Sequence, residues 1–175
     1  MSRNTQNEPT AWAGVSGSWR QTCPELEQDI EAGINKALDD GKGIVSGGAL
    51  GVDYRATAIS LERFPDGSRT KIIIPTPLDT FASHYRKRAQ EGVITQEQAE
   101  DLIKQLETVS KLGSLTTMNH SELTVETYFD RDTQVVDAST ELLAYQVNNS
   151  AGVQDTVEKA RAKGIPVNLQ SYTVN

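Results

Sequence analysis

The chain has 175 residues, of which 37% are hydrophobic, with a formal net charge of −7 and a single cysteine. This length suits one domain, which on folding buries about 70% of the surface of its unfolded chain. The negative charge argues against broad non-specific nucleic-acid binding, because such binding needs a basic face that neutralises phosphates. A lone Cys23 excludes an intramolecular disulfide.

The sequence offers no signal for a membrane. It contains no apolar run near the ~20 residues that a membrane span needs, and the polar segment 2–8 lacks the apolar core of a signal peptide. We therefore expect a cytoplasmic protein with no membrane partner. Residues 1–9 are predicted to be a disordered tail and residues 10–175 to be a single domain.

The first predicted unit is a strand, a turn and a helix. The apolar start 11–13 leads into Gly14–Arg20, and a capping box of Thr22 with Glu25 marks the start of the following helix. Arg20 is interpreted equally well as a phosphate ligand or as a solvated surface arginine. The candidate ligand-binding residues of this turn are Ser16, Gly17, Ser18 and Arg20.

The second unit, Gly43–Asp53, is the most informative segment. A short apolar strand runs into a glycine-rich turn and then into a helix. Such turns expose main-chain N–H groups to anions, although glycine also serves purely structural turns. The spacing matches neither the P-loop nor the dinucleotide fingerprint. Asp53 is expected to cap its helix, orient the loop or accept a ribose hydroxyl. The candidates here are Ser46, Gly47, Gly48, Ala49, Gly51 and Asp53.

A basic cluster, His84–Arg88, follows the predicted strand 71–74 and the turn 75–78. Charge runs are usually solvated helix faces, and we favour that interpretation. The alternative places His84 and Arg88, which share a helix face at i and i+4, over the ligand as additional site residues.

An amphipathic helix is predicted from Thr95 to Leu112, opened by a capping box. Its apolar stripe packs either on the sheet or on a second subunit, so a homo-oligomer is one of the two interpretations. The segment 81–123 is expected to be a helical insertion that acts as a lid or an oligomer interface, with a loop at 113–120. His120 has no nearby His or Cys, and no metal site is expected.

The last predicted unit repeats the pattern of the first two. A strand at Glu141–Val147 meets the turn Asn148–Gly152, a helix from about 153 to 163, and a final strand from 165 to about 169. Three strands thus end in small-residue turns that open helices. The fold class is α/β, with a doubly wound, mainly parallel sheet, helices on both faces, and the three turns at one edge around a single ligand. The candidates in this turn are Asn149, Ser150 and Gly152.

Three segments carry a family resemblance: 14–20, 44–53 and 148–160. They resemble the superfamily that joins the Rossmann-like domain of DNA-processing protein A (DprA, Smf) with the lonely-guy (LOG) nucleotide-processing proteins, the SLOG type. The match runs from about residue 11 to 167, and its Ser-Gly-Gly-Ala-x-Gly-x-Asp segment is closest to the DNA-processing branch. The resemblance implies a Rossmann-like sheet whose glycine loops hold a nucleotide or a nucleic-acid phosphate.

The departures from the lonely-guy pattern concern catalysis. Members of that branch resemble one another in a Pro-Gly-Gly-x-Gly-Thr-x-x-Glu loop and in an arginine upstream of it. In this sequence, Thr156 stands where the catalytic glutamate of that loop is expected. Arg131 matches the family arginine, and Asp155 and Glu158 are weak substitutes for the missing carboxylate. Binding is therefore better supported than turnover.

We accordingly expect a protein that binds a nucleotide or related phosphorylated small molecule, with no required cofactor and with nucleic acid not favoured as a partner. An N-glycosidic hydrolase acting on nucleoside 5′-monophosphates is the second hypothesis. A single-stranded DNA-binding module is the third, because the net charge and the absence of an interleaved aromatic and basic surface stripe count against it.

Overall fold

The fold is described from a computed structural model, over residues 8–175. Residues 1–7 of the predicted tail lie outside the described residues. Six strands form one parallel sheet in the order β4-β3-β2-β1-β5-β6. They are β1 (Trp12–Gly17), β2 (Gly43–Ser46), β3 (Thr70–Ile74), β4 (Leu115–Thr117), β5 (Glu141–Val147) and β6 (Val167–Tyr172).

Six helices connect these strands within the described residues. They are α1 (Pro24–Asp39), α2 (Val52–Arg63), α3 (Leu78–Gln90), α4 (Gln96–Lys111), α5 (Val125–Asp137) and α6 (Ala151–Lys163). No helix in residues 8–175 is both long and apolar enough to cross a membrane. The predicted doubly wound α/β fold is confirmed, and β4 makes the sheet one strand longer than the predicted set.

Side-chain alternation along the strands divides the core between the two faces of the sheet. On β5, Leu143 and Tyr145 join α1 and α2 in one cluster, while Leu142 and Ala144 join α5 and α6 on the other face. Strands buried on both faces are characteristic of parallel sheets covered by helices. Because the chain winds in opposite directions from β1 and from β5, the loops at their carboxyl ends diverge and leave a crevice between them.

The apolar stripe of α4 lies inside its own chain. Ala99, Leu102 and Leu106 are fully buried and pack in one cluster with Ile72 of β3 and Phe81 of α3. Of the two interpretations left open by the sequence, packing on the sheet or on a second subunit, the stripe therefore packs on the sheet. The capping box at Thr95 is present, with Gln98 as its partner.

Two local expectations are wrong. The segment 113–120 is not all loop, because β4 pairs with β3 from Leu115 to Thr117. Helix α1 has no capping box: its N-cap is Cys23, and the hydroxyl of Thr22 instead donates to the carboxylate of Glu27 at 2.6 Å. Pro24 still occupies the first turn, where its missing N–H costs nothing.

Candidate functional site

A cavity of about 750 Å³, here called the main cavity, opens at the carboxyl edge of the sheet between β1 and β5. The end of β1, the glycine loop after β2 and the first turn of α6 line one side of it, and α3 and α5 form the opposite wall. Its size and position match the ligand crevice expected at the switch point of a doubly wound sheet.

Asp53 organises the glycine loop from below. One oxygen of its carboxylate accepts the N–H groups of Gly47 at 3.1 Å and of Ala49 at 3.3 Å. These two N–H groups are therefore not free for a phosphate. The expectation that these two N–H groups bind an anion is therefore wrong. Of the roles predicted for Asp53, the structure shows the orientation of the loop.

A buried ion cluster, here called the acidic floor, consists of Asp53, Arg131 and Asp132. The guanidinium of Arg131 donates to Asp132 at 3.0 Å and to the carbonyl of Gly47. All three side chains line the main cavity, and their residues are no more than 9% exposed. Asp132 was not predicted from the sequence, where it is one acidic residue among many on a helix.

Burial controls the ionisation of this floor. It raises the pKa of Asp53 to about 6, although Arg131 and the two loop N–H donors favour the charged form. Burial also raises the pKa of Asp132, again against the influence of Arg131. Two carboxyl groups around one arginine leave the floor acceptor-rich, so it suits N–H donors of a ligand better than a phosphate.

Glycine at position 47 leaves room for the Arg131 side chain of the acidic floor. A Cβ there would lie 2.4 Å from the guanidinium of Arg131. Gly51 has a related role at the other end of the loop, because a Cβ would lie 2.2 Å from the carbonyl oxygen of Ser18, and its φ is +75°. The N–H of Val52 also donates to that carbonyl at 3.0 Å. Gly51 is thus explained by close contact between the first two turns, and Gly47 by the approach of Arg131 from α5.

The structure separates the predicted site residues into two groups. The first group lines the main cavity and consists of Ser16, Gly17, Arg20, Gly47, Ala49, Asp53, His84, Arg88, Arg131, Ser150 and Gly152. The second group lies outside its lining and consists of Ser18, Ser46, Gly48, Gly51, Asn149, Asp155 and Glu158.

Members of the second group have structural partners instead. The hydroxyl of Ser18 accepts a hydrogen bond from the N–H of Gln21 at 3.0 Å. The hydroxyl of Ser46 lies 3.4 Å from the hydroxyl of Thr57 in α2. Asp155 pairs with Lys159 at 2.6 Å, and Glu158 accepts a hydrogen bond from Gln154. Neither candidate substitute for the lonely-guy glutamate therefore reaches the cavity.

Gly48 has a different role from the one expected. A Cβ at this position would lie 2.8 Å from the side chain of Ile74 and 2.9 Å from that of Ile72, in the core. Its backbone also has a φ of +70°, a conformation that glycine adopts without penalty. The position serves packing of the loop on β3.

The mouth of the main cavity carries an aromatic and a cationic side chain. Trp19 is 44% exposed, and the guanidinium of Arg20 lies 5.5 Å from the centre of its indole ring. Within residues 8–175, Arg20 forms no salt bridge. An exposed aromatic ring beside a guanidinium has the chemistry to contact flat, anionic ligands.

The opposite wall is apolar and aromatic and was not predicted. Most of it comes from α5 and from the two segments that precede α4 and α5. The Tyr128 ring lies 5.3 Å from the guanidinium of Arg131, so this wall meets the acidic floor. The apolar and aromatic residues of the wall are Tyr85, Val93, Ile94, Leu123, Val125, Tyr128 and Phe129.

The side chains of the basic cluster on α3 point in two directions, some toward the main cavity and one toward α4. His84 and Arg88 line the main cavity, as the alternative interpretation required, while Arg86 turns away to pair with Glu100 at 2.9 Å. Burial and the neighbouring Arg88 lower the pKa of His84. Arg88 is held by Glu91 at 2.7 Å. The described residues contain no cluster of side chains suited to a metal ion.

The first turn of α6 faces the main cavity without a side-chain cap. Ser150 is its N-cap residue but makes no capping hydrogen bond, and the segment from Ser150 to Val153 lines the cavity. Unsatisfied N–H groups and the positive end of the helix dipole favour an anion at such a terminus. The hydroxyl of Thr156 is occupied, because it donates to the carbonyl of Gly152 at 3.0 Å.

Comparison with solved structures identifies the fold. The chain is similar to DNA-processing protein A from Helicobacter pylori, whose structure is described as giving insight into a unique single-stranded DNA binding mode. The TM-score is 0.69 at 17% identity, over 95% of this chain and 68% of that one. DprA from Streptococcus pneumoniae gives a TM-score of 0.48 at 17% identity, over 90% of this chain and 58% of that one.

No protein-family model matches the sequence, and no curated protein matches it. At 17% identity the likeness to the H. pylori protein establishes a shared fold. This structural likeness agrees with the resemblance to DNA-processing protein A. It gives no support to the resemblance to the lonely-guy proteins.

The expected preference for a small phosphorylated partner over nucleic acid is wrong. That ranking depended on the net charge of −7 and on the lack of an interleaved aromatic and basic stripe in the sequence. The H. pylori protein with this fold is nevertheless described as binding single-stranded DNA. Net charge sums the whole surface, whereas a strand contacts only a local site. This chain has the fold of DNA-processing protein A, with a cavity at the switch point of its sheet.

Proposed function

We propose that this protein binds single-stranded DNA at the carboxyl edge of its sheet and seats one nucleotide in the main cavity. The observation that carries the proposal is the exposed Trp19–Arg20 pair at the mouth of a cavity of about 750 Å³. Proteins that bind single strands combine cationic contacts to the backbone with aromatic side chains on which bases stack. The fold shared with the H. pylori protein supports the same choice.

The charges of the cavity favour one orientation of the nucleotide. The acidic floor holds two buried carboxyl groups, Asp53 and Asp132, which repel a phosphate and accept N–H groups of a base. The aromatic wall at Tyr128 offers apolar contact to the flat faces of the base. We therefore place the base toward the floor.

The phosphate then lies at the mouth. Arg20 supplies a guanidinium there, and the uncapped first turn of α6 supplies main-chain N–H groups and a favourable dipole. Both groups suit a phosphodiester, and neither reads the base. The proposal thus assigns positioning of the phosphate to Arg20 and the first turn of α6, and base contact to the interior of the cavity and to the ring of Trp19.

A single strand fits this arrangement and a duplex does not. A base can enter a cavity only when it is unstacked and unpaired, which costs a few kcal/mol in a duplex and little in a single strand. The net charge of −7 adds repulsion along the rest of the surface. Binding is therefore expected to depend on a few close contacts and to favour single strands over duplexes.

The test is a binding titration of fluorescently labelled mixed-sequence oligonucleotides, single-stranded and duplex, followed by anisotropy. The wild-type protein is expected to bind the single strand more tightly than the duplex. Trp19→Ala should weaken binding about 5- to 150-fold, since stacking contributes about 1–3 kcal/mol per base. Arg20→Ala should weaken it about tenfold or more through loss of a charge-assisted hydrogen bond.

Arg86→Ala is the matched control, because Arg86 is exposed and pairs with Glu100 outside both the cavity and its mouth. It removes one positive charge, as Arg20→Ala does, and should leave affinity unchanged. Circular dichroism of each variant checks folding. Equal affinity of Trp19→Ala and wild type, or equal losses for Arg20→Ala and Arg86→Ala, would contradict binding at this mouth.

A further inference from the structure

A second depression of about 320 Å³, here called the outer groove, begins at the mouth of the main cavity. Trp19 and Arg20 line both spaces, so this pair lies at the junction between them. Beyond it, the outer groove runs between the segment 20–22 on one side and α2 and α4 on the other.

The outer groove contains the groups that hold a base without reading its identity. The phenol ring of Tyr54 forms one wall, and the indole of Trp19 stands at the entrance. The Gln98 side-chain oxygen accepts the N–H of Thr95, and the Gln21 side-chain oxygen accepts from Asn148, which leaves the NH2 groups of both amides as donors.

The charges of the outer groove nearly cancel. Arg55 lies 4.0 Å from Glu27 and 3.8 Å from Glu31, and Asp101 faces the groove from α4. Only Arg20, at the junction, is a cation without a salt bridge among the groove-lining residues that the structure describes. A phosphate therefore has its best position at the junction, and the groove beyond it suits an uncharged aromatic group.

We propose that the outer groove is a second nucleotide subsite for the same DNA strand. The linking phosphate lies against Arg20, and the second base stacks between Trp19 and Tyr54. This inference rests on the proposed function, because the first nucleotide must occupy the main cavity. It makes a dinucleotide the shortest ligand that uses the whole site, with base identity unspecified in the second position.

The test is a length series of each homo-oligomer, from the nucleoside 5′-monophosphate to the trinucleotide, titrated by calorimetry. We expect the dinucleotide to bind about fivefold more tightly than the mononucleotide, or better, because one more base is stacked. Tyr54→Leu keeps an apolar side chain on the partly buried α2 face but removes the aromatic ring. It should abolish this gain and leave mononucleotide affinity at the wild-type value.

Gln21→Ala provides a second variant on the other side of the groove, at an exposed position where it removes one hydrogen bond with Asn148. It should reduce the gain for the dinucleotide and not alter mononucleotide binding. Equal affinity of mononucleotide and dinucleotide for the wild-type protein would overturn the subsite and leave the main cavity as the binding site. Binding of no oligonucleotide of any length would overturn the proposed function and the subsite with it.

Discussion

At the scale of residues, Asp53 shows how one side chain determines what a loop can bind. The sequence left three roles open for this residue, a helix cap, the orientation of the loop and a ribose contact, and the structure shows the orientation of the loop. The consequence for the ligand could not be predicted. Whether the carboxylate accepts from Gly47 and Ala49, and so withdraws them from a phosphate, depends on the folded geometry of the loop, whose Gly47 carbonyl also accepts from Arg131 of a distant helix.

The raised pKa of Asp53 predicts a pH dependence of stability. The ordinary pKa of an aspartate is 3.8, and that of Asp53 in the folded chain is about 6, so the folded state binds more protons between these values. Its contribution is therefore fully present below about pH 4 and is lost as pH rises through 6. The loss amounts to about 3 kcal/mol, at about 1.4 kcal/mol per pKa unit.

Urea denaturation at pH 4, 5, 6 and 7 checks this prediction. Asp53→Asn cannot ionise, so its free energy of unfolding should fall less with rising pH than that of the wild type. Asp132, whose pKa is also raised, remains in the variant and keeps part of the dependence. Asp137→Asn, at an exposed position of α5, controls for the loss of one carboxylate. Parallel curves for wild type and Asp53→Asn would refute the account of the floor.

At the scale of elements, the parts that the sequence predicted are local ones. The helix α4 follows from a capping box and a periodic stripe, and the three strand–turn–helix units follow from apolar runs that end in small residues. No such sequence signal predicts that residues of α5 form a wall of the main cavity. Its position depends on the connection from β4 to Thr124 and on the rotation of α5, and both are set by tertiary packing.

Gly48 illustrates the limit of interpreting glycine from sequence. Its motif suggested a phosphate contact, whereas its absent Cβ faces Ile72 and Ile74 in the core. Replacement by Ala should therefore destabilise the fold. The matched control is Gly92→Ala, because Gly92 has a similar φ of +77° and nothing within 4 Å of its Cβ position.

Both variants incur the backbone penalty of alanine at positive φ. Gly48→Ala should lose a further ~1–3 kcal/mol of unfolding free energy, because the added methyl group overpacks a filled core. Urea denaturation of the two variants, compared with wild type, measures the difference. Equal losses at positions 48 and 92 would show that the core around Gly48 has room for a side chain.

At the scale of the whole molecule, the fold places three turns at one edge of the sheet, as the sequence predicted, but the main cavity beside them is not a ring of glycine amides. It has an acidic floor, an aromatic wall and a mouth with one tryptophan and one arginine. The net charge of −7 is compatible with this site because the contacts are few and close. Binding should accordingly respond to the presence of a base more than to the number of phosphates.

The most direct test of the central claim compares two strands with equal phosphate count, a mixed-sequence oligonucleotide and an oligomer of the same length built from abasic nucleotides. If a base enters the main cavity, the intact strand should bind at least about fivefold more tightly, since each stacked base contributes about 1–3 kcal/mol. Competition anisotropy against one labelled strand gives both affinities in the same buffer. Equal affinity of the two strands would contradict a site that holds a base.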